Sequence, residues 1–364
     1  MDPESPVDFD RFVDTEHPVL VTGATGFVAG WIVKALLEAG VTVHAAVRRP
    51  DDTARLQPLI DLAAASPGRL RFFGADLLTP GAYAEAIQGC RVVFHTASPF
   101  AMSVADAQRD LIDPALSGTR NLLDTVNATP SVTRVVLTSS VAAAYGDTVD
   151  IRDAPGGVLT EAVWNTTSSL TRQPYSYSKT LAERAAWEMA EAQQRWRLVT
   201  INPALVLGPS ILGTSTSGSD ILIRQFADGT MKSGAPPMEI GMVDVRDVAT
   251  AHLRAAFAPH AEGRHLVVAE VRSFLAIGAA LRTAFGAAWP FPTRVAPKWL
   301  IWLIGPMIDR TLSRPFIARN FGHAWRVDNS KSRNALGLTY RPVTQAAVDM
   351  VRQMIDTGAI RAPN

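Results

Sequence analysis

The chain has 364 residues, with 35 Lys and Arg against 34 Asp and Glu and a formal net charge of +1. That balance, with no basic stripe interleaved with aromatics, argues against a nucleic-acid partner. With 47% hydrophobic and 19% charged residues the chain can bury a sizeable core, as one large domain or two unequal ones. The lone Cys90 excludes an internal disulfide and a cysteine-cluster metal site, which fits a reducing cytoplasm, and no metal is expected.

The N-terminus, residues 1–16, is acidic and lacks the positive region and apolar stretch of a signal peptide, so it reads as a flexible tail. Val19, Leu20 and Val21 then form an apolar run typical of a buried parallel strand, which stops at Thr22-Gly23. Gly23 suits a tight turn, and Gly26 lets backbone approach a phosphate. A helix from Phe27 and Val28, past Thr25, points its positive end there. Ala29 fills the third, small position of this dinucleotide fingerprint, and Ile32, Ala35 and Leu36 continue at helical spacing.

The second strand, 41–47, ends at Arg48 and Arg49, where an enzyme using NAD keeps a carboxylate for the ribose 2′-hydroxyl. A guanidinium there forks onto a 2′-phosphate, so the expected cofactor is NADP(H), with Arg55 as a second positive contact. Further strands are expected at 70–74, 91–96, 134–139 and 197–201, separated by helix-length stretches. This alternation predicts a doubly wound, Rossmann-type α/β fold with a parallel sheet covered on both faces. Residues 17–203 form the NADP-binding core. Residues 204–364 form a smaller, mainly substrate-binding part, with some segments returning to the core. That part is read as a Gly/Ser/Thr loop at 208–220, short strands at 241–245 and 265–269, and helices at 248–257 and 297–313. The apolar run 299–308 is too short to span a membrane and is broken by Gly305-Pro306. It reads as a buried or pocket-lining helix, with an interfacial role left open.

Tyr175 and Lys179 are four apart at the start of a predicted helix, so they share a face from which Tyr177 is turned away. An ammonium near a phenol stabilises its phenolate and tunes it for acid–base work. Thr138-Ser139-Ser140 ends a strand upstream and brings a hydroxyl to the same sheet edge. Ser140 is the preferred choice and Ser139 the alternative for holding a carbonyl oxygen while Tyr175 protonates it. Asn121 is a candidate water anchor, although a surface or helix-packing role fits it better.

The glycine segment 19–49, Asp76-Leu77, the run 92–99, the run 135–140, Tyr175–Trp187 and Ile201–Pro209 together resemble successive motifs of the extended short-chain dehydrogenases/reductases. Within that superfamily the chain is most similar to the dihydroflavonol reductase and cinnamoyl-CoA reductase group, which includes microbial aldehyde and ketone reductases. The runs 178–183, 241–252 and 327–331 extend the similarity; 274–326 matches least. The resemblance implies a catalytic Ser140, Tyr175 and Lys179. It places Asp76 and Leu77 at the adenine, Thr96, Ala97 and Ser98 under the cofactor, and Pro203, Ala204 and Val206 at the nicotinamide. Thr22, Gly23, Thr25, Gly26, Phe27 and Val28 complete the cofactor set. Tyr145 stands where plant dihydroflavonol reductases carry a polar residue that bonds the flavonoid, which argues against flavonoid reduction.

The expected activity is NADPH-dependent reduction of an aldehyde or ketone, by a cytoplasmic monomer or homodimer with no transmembrane segment. The substrate wall is expected to use Phe100, Met102, Tyr145 and Trp164. The competing readings are a 3β-hydroxysteroid dehydrogenase, which the run 297–308 keeps open, and a nucleotide-sugar epimerase or dehydratase. The latter is disfavoured because 208–237 offers only Arg224 and Lys232 for a diphosphate. A non-catalytic dinucleotide sensor would have no need of Ser140, Tyr175 and Lys179 together.

Overall fold

The central strands are mainly apolar, and their side chains divide between two cores. The computed structural model describes residues 13–98, 106–213, 217–309 and 311–363. Its strands are β1 (Val19–Thr22), β2 (Thr42–Val47), β3 (Arg69–Gly74), β4 (Val92–His95), β5 (Arg134–Thr138), β6 (Arg197–Pro203), β7 (Leu205–Leu207), β8 (Glu239–Asp244), β9 (Gly263–Val267) and β10 (Glu270–Ser273). Its helices are α1 (Phe27–Glu38), α2 (Thr53–Ala64), α3 (Asp113–Ala128), α4 (Pro174–Glu191), α5 (Gly218–Ala227), α6 (Val245–Phe257), α7 (Phe274–Phe285), α8 (Lys298–Ile308), α9 (Arg314–Asn320), α10 (Ser330–Ala335) and α11 (Val343–Asp356).

Seven strands form one parallel sheet in the order β3-β2-β1-β4-β5-β6-β9. On β1, Val19 and Val21 join one core with Ile32, Val33 and Leu36 of α1. Leu20 joins the opposite core with Leu122, Leu123 and Val126 of α3. Side chains alternate along a strand, so a strand covered on both faces is apolar at most positions, and buried polar exceptions such as Thr200 and Asn202 of β6 are hydrogen-bonded. Cys90 belongs to the second core, and burial pushes its thiol up to about 12, which makes it a small packing residue.

The strand order reverses between β1 and β4, so their carboxyl ends open a crevice, the usual ligand position in such sheets. The chain beyond β6 divides its labour. α6 packs on α1, and β9 extends the main sheet, so both return to the core. β7, β8 and β10 form a separate three-stranded sheet beside the crevice. β7 and β10 are too short to stand out in the sequence, and α5 begins inside the stretch read as loop, capped by the Ser217 side chain. α8 ends at Ile308, five residues before the expected limit. At the N-terminus, Asp14 accepts hydrogen bonds from Arg91 and from the backbone of His17, so 13–16 rest on the start of β4.

Gly241 on β8 joins this second sheet to the crevice. A Cβ there would lie 2.5–2.6 Å from the Trp325 ring and 2.9 Å from Val268. Trp325 is buried and packs edge-on against Tyr145, with ring centroids 5.7 Å apart. Gly241→Ala is therefore expected to destabilise the fold by about 1–3 kcal/mol through overpacking, read as a lower midpoint in urea unfolding. An unchanged midpoint would show that Trp325 has room to move.

Candidate active site

One cleft of about 2460 Å³ runs from the ends of β1 and β2, across β5 and α4, to α8 and α9. Its dinucleotide end begins at the glycine turn. Gly23 has φ +62°, and a Cβ on it would come within 3.0 Å of the Ala97 backbone, so both conformation and space call for glycine. Gly26 has ordinary φ −77° and starts α1 with no capping side chain, and no acidic residue stands in the first turn. The positive end of α1 is thus left open toward Thr25, Gly26, Phe27 and Val28, which line the cleft.

Arg48 and Arg55 both line this end, both are exposed, and neither has a carboxylate partner among the described residues. Arg49 instead lies 4.0 Å from Asp52 and does not line the cleft. Asp76, Leu77, Thr96, Ala97 and Ser98 line it as well, followed by Pro203, Ala204 and Val206. Thr22 departs from expectation. It is fully buried, its hydroxyl accepts from the backbone N–H of Thr96 and Ala97, and its carbonyl accepts from the Thr96 hydroxyl. Thr22 therefore shapes the loop after β4 from below instead of facing a ligand.

At the middle of the cleft, Ser140 and Tyr175 both line the wall, and the Ser140 Oγ accepts from the Ala142 backbone at 3.1 Å. Burial pushes the Tyr175 phenol up to about 12, with the nearby Ser140 hydroxyl pulling the other way. Lys179 places its Nζ 6.0 Å from the centre of the Tyr175 ring and donates to Ser98 Oγ at 2.9 Å. Burial lowers its ammonium to about 8, with the Glu183 carboxylate one turn further on pulling the other way. His95 lies nearby but is held neutral, lowered to about 3 by burial and by Lys179.

The start of α4 is fixed with some strain. Gln173 has φ +54°, the one positive φ outside glycine among the described residues, and precedes Pro174, the first residue of the helix. Such a conformation costs on the order of 1–3 kcal/mol. It persists because Gln173 Nε2 donates to Asp147 Oδ1 at 2.7 Å while its carbonyl accepts from the Tyr177 backbone. Asp147 also accepts from Arg172 and from Asn320 of α9, and these bonds hold its carboxyl below the usual range against the opposing effect of burial. This network was invisible in the sequence, because Asn320 stands 173 positions from Asp147.

Ser139 resolves away from Ser140: its hydroxyl donates to the buried Glu183. Asn121 donates to the carbonyls of Leu77 and Thr79 and accepts from Gly81, which makes it a brace between α3 and the loop after β3. Tyr177 does not line the cleft.

Of the expected substrate wall, Tyr145 lines the cleft, whereas Trp164 does not. Trp164 is covered by the guanidinium groups of Arg264 and Arg184, at 3.8 Å and 4.7 Å from its ring centre, and serves as a packing platform. Phe100 and Met102 lie outside the described residues. Apolar lining at the α8–α9 end of the cleft comes from Leu300, Ile301, Ile304, Leu312 and Phe316, from the stretch that resembles known motifs least. Arg224 and Lys232 do not reach the cleft, but Arg294 and Arg319 do. Among the described residues no cluster of three or more His, Cys, Asp and Glu could hold a metal ion.

Residues 19–269 match the family model described as the NAD dependent epimerase/dehydratase family. The chain belongs to this family. It is 41% identical over 274 residues to cinnamoyl-CoA reductase CAD2 of Medicago truncatula, covering 73% of this chain and 80% of that protein. It is 35% identical to cinnamoyl-CoA reductase 1 of Petunia hybrida, covering 95% and 94%. Its fold matches the yeast methylglyoxal/isovaleraldehyde reductase Gre2 complexed with NADPH, with a TM-score of 0.75, 25% identity and coverage of 94% and 99%. The chain is thus an oxidoreductase of the extended short-chain type, and the open helix end with two unpartnered arginines fits NADP(H).

Arg48→Ala should raise the NADPH dissociation constant about 10- to 100-fold, the range for losing a hydrogen bond to a charged group, and leave NADH nearly unchanged. Fluorescence titration with both nucleotides checks this. Equal losses would place Arg48 away from the 2′-phosphate.

Proposed function

We propose that this protein reduces an uncharged aldehyde or ketone to an alcohol with NADPH, through Ser140, Tyr175 and Lys179. The observation that carries the reading is the placement of Ser140 and Lys179 beside Tyr175 in the wall of a cleft that continues to the dinucleotide end. When bound, NADPH supplies the hydride. Ser140 orients the carbonyl oxygen, and Tyr175 gives it a proton. A phenol raised to about 12 stays protonated at neutral pH, so the acid is always loaded. The Lys179 ammonium and the Ser140 hydroxyl then stabilise the phenolate left behind. His252, lowered to about 4 by burial, stays neutral and accepts from Thr138 Oγ1, so it braces the end of β5.

The apolar wall of Leu300, Ile301, Ile304, Leu312 and Phe316 favours a hydrophobic substrate body. Arg294 and Arg319 on the same cleft favour a second reading, in which the carbonyl belongs to a thioester with an anionic carrier, as the names of the cinnamoyl-CoA reductases suggest. NADPH oxidation with aryl aldehydes, aliphatic ketones and cinnamoyl-CoA separates the two. Turnover of a nucleotide sugar with none of these would overturn both.

Tyr175→Phe should keep NADPH binding and lose nearly all turnover, whereas Tyr177→Phe should stay active. Ser140→Ala should lose about 100- to 1,000-fold in kcat, the usual effect of removing an oriented donor. Single-turnover rates decide, and a Tyr175→Phe enzyme near the wild-type rate would end the assignment.

The pH profile is a separate check. The charged form of Lys179 is the useful one and is lost as pH rises through about 8, so kcat for reduction should fall above that pH. Lys179→Ala should remove this limb from the profile along with most of the rate. A wild-type rate that stays flat from neutral pH to well above 8 would mean that the ammonium is not needed.

A further inference from the structure

Apart from Lys298, α8 is apolar on every side. Leu300, Ile301 and Ile304 line the cleft, but Trp299, Trp302, Leu303 and Met307 do not. These four are 68%, 42%, 51% and 83% exposed, with Trp299, Leu303 and Met307 stacked at intervals of four along one outer stripe. An apolar stripe of this kind on a helix that is apolar all round calls for a partner.

Charge identifies the partner. The segment 294–326 carries six Lys and Arg against one Asp, although the whole chain has a formal net charge of +1, so the positive excess is concentrated there. Arg314 is exposed and lies over the Trp302 ring at 4.6 Å, and Lys298 sits on the helix itself, donating to the carbonyls of Ala318 and Phe321. Neither pairs with a carboxylate among the described residues. A second copy of the chain meeting this face about a two-fold axis would bring these cations onto one another. An anionic lipid headgroup layer instead complements them, and tryptophans suit that layer. No helix among the described residues is long and apolar enough to cross a membrane, so the contact is one of lying on the surface.

We propose that α8 docks the enzyme on an anionic phospholipid surface, with Trp299, Leu303 and Met307 entering the headgroup layer while the exposed Arg314 faces the phosphates. Docking would set one wall of the substrate cleft against the lipid. Such docking is independent of the reaction proposed for the cleft.

Co-sedimentation of the full chain with vesicles of phosphatidylcholine mixed with phosphatidylglycerol tests it, against vesicles of phosphatidylcholine alone. The expected result is binding to the mixed vesicles that weakens with added salt, with a blue shift of tryptophan fluorescence. The triple variant Trp299→Gln/Leu303→Gln/Met307→Gln should lose at least about tenfold in partitioning while keeping its circular dichroism and thermal midpoint. Arg314→Glu should weaken binding on the mixed vesicles. No binding, or equal binding to both vesicle types, would overturn the proposal. So would a concentration-dependent dimer in sedimentation that the triple variant abolishes, because the face would then belong to a second copy.

Discussion

Glu183 is fully buried, and no carboxylate can stay there without compensation. Arg264 of β9 donates to it at 2.6 Å, Asn202 of β6 at 2.6 Å and Thr200 of β6 at 3.2 Å, with the Ser139 hydroxyl at the end of β5 completing the shell. Removing one member of a buried pair leaves an uncompensated charge, which typically costs about 3–5 kcal/mol. The ends of β5, β6 and β9 are therefore held in register with α4. The cleft inherits that register. Asn202 also donates to the Ser140 carbonyl, so the same cluster fixes the proposed orienting hydroxyl from below. Lys179 stands one turn above Glu183 on α4, and Tyr175 one turn above Lys179. A single helix face thus runs from the buried charge to the proposed proton donor.

This arrangement explains why one half of the molecule could be read from its sequence. The glycine turn, Arg48 and the Tyr175/Lys179 pair are local signals: a strand, a turn and a helix fall within a few residues, and spacing alone decides which side chains share a face. Strand positions were legible because burial on both faces favours long, mainly apolar runs. Thr22 shows the limit of such reading. It sits in the fingerprint, yet its hydroxyl is consumed by the loop after β4, a contact 74 positions away.

The other half was not legible, for the opposite reason. Trp164 looked like a ligand contact because an exposed loop aromatic and a packed one have the same local sequence; the guanidinium groups of Arg184 and Arg264 decide the matter, and both arrive from elsewhere in the chain. The wall made by α8 and α9 depends on Asn320 reaching Asp147, and the second sheet depends on the β7 and β10 pairings to β8. None of these leaves a periodic trace. Glu183 and Asn202 did lie within recognised motifs, but their roles appear only when Arg264 is seen between them and Trp164.

The two halves also differ in what holds them. The dinucleotide end is a property of the main sheet: backbone N–H groups, glycine space and strand ends that cannot shift without moving both cores. The α8–α9 side of the cleft is tied down from elsewhere, by the Asp147 cluster with Arg172, Gln173 and Asn320 and by backbone bonds from 294–296 and Gly322 to 235–237. Side chains such as Leu300, Ile304 and Phe316 face the cleft without supporting either core. Changing them alters the shape offered to a substrate at little cost to the fold. Changing Asp147 does more, because it releases the wall and the strained Gln173 together, and Gln173 sets where α4 begins. The α9 side of the cleft and the proposed proton donor are mechanically joined at that one carboxylate.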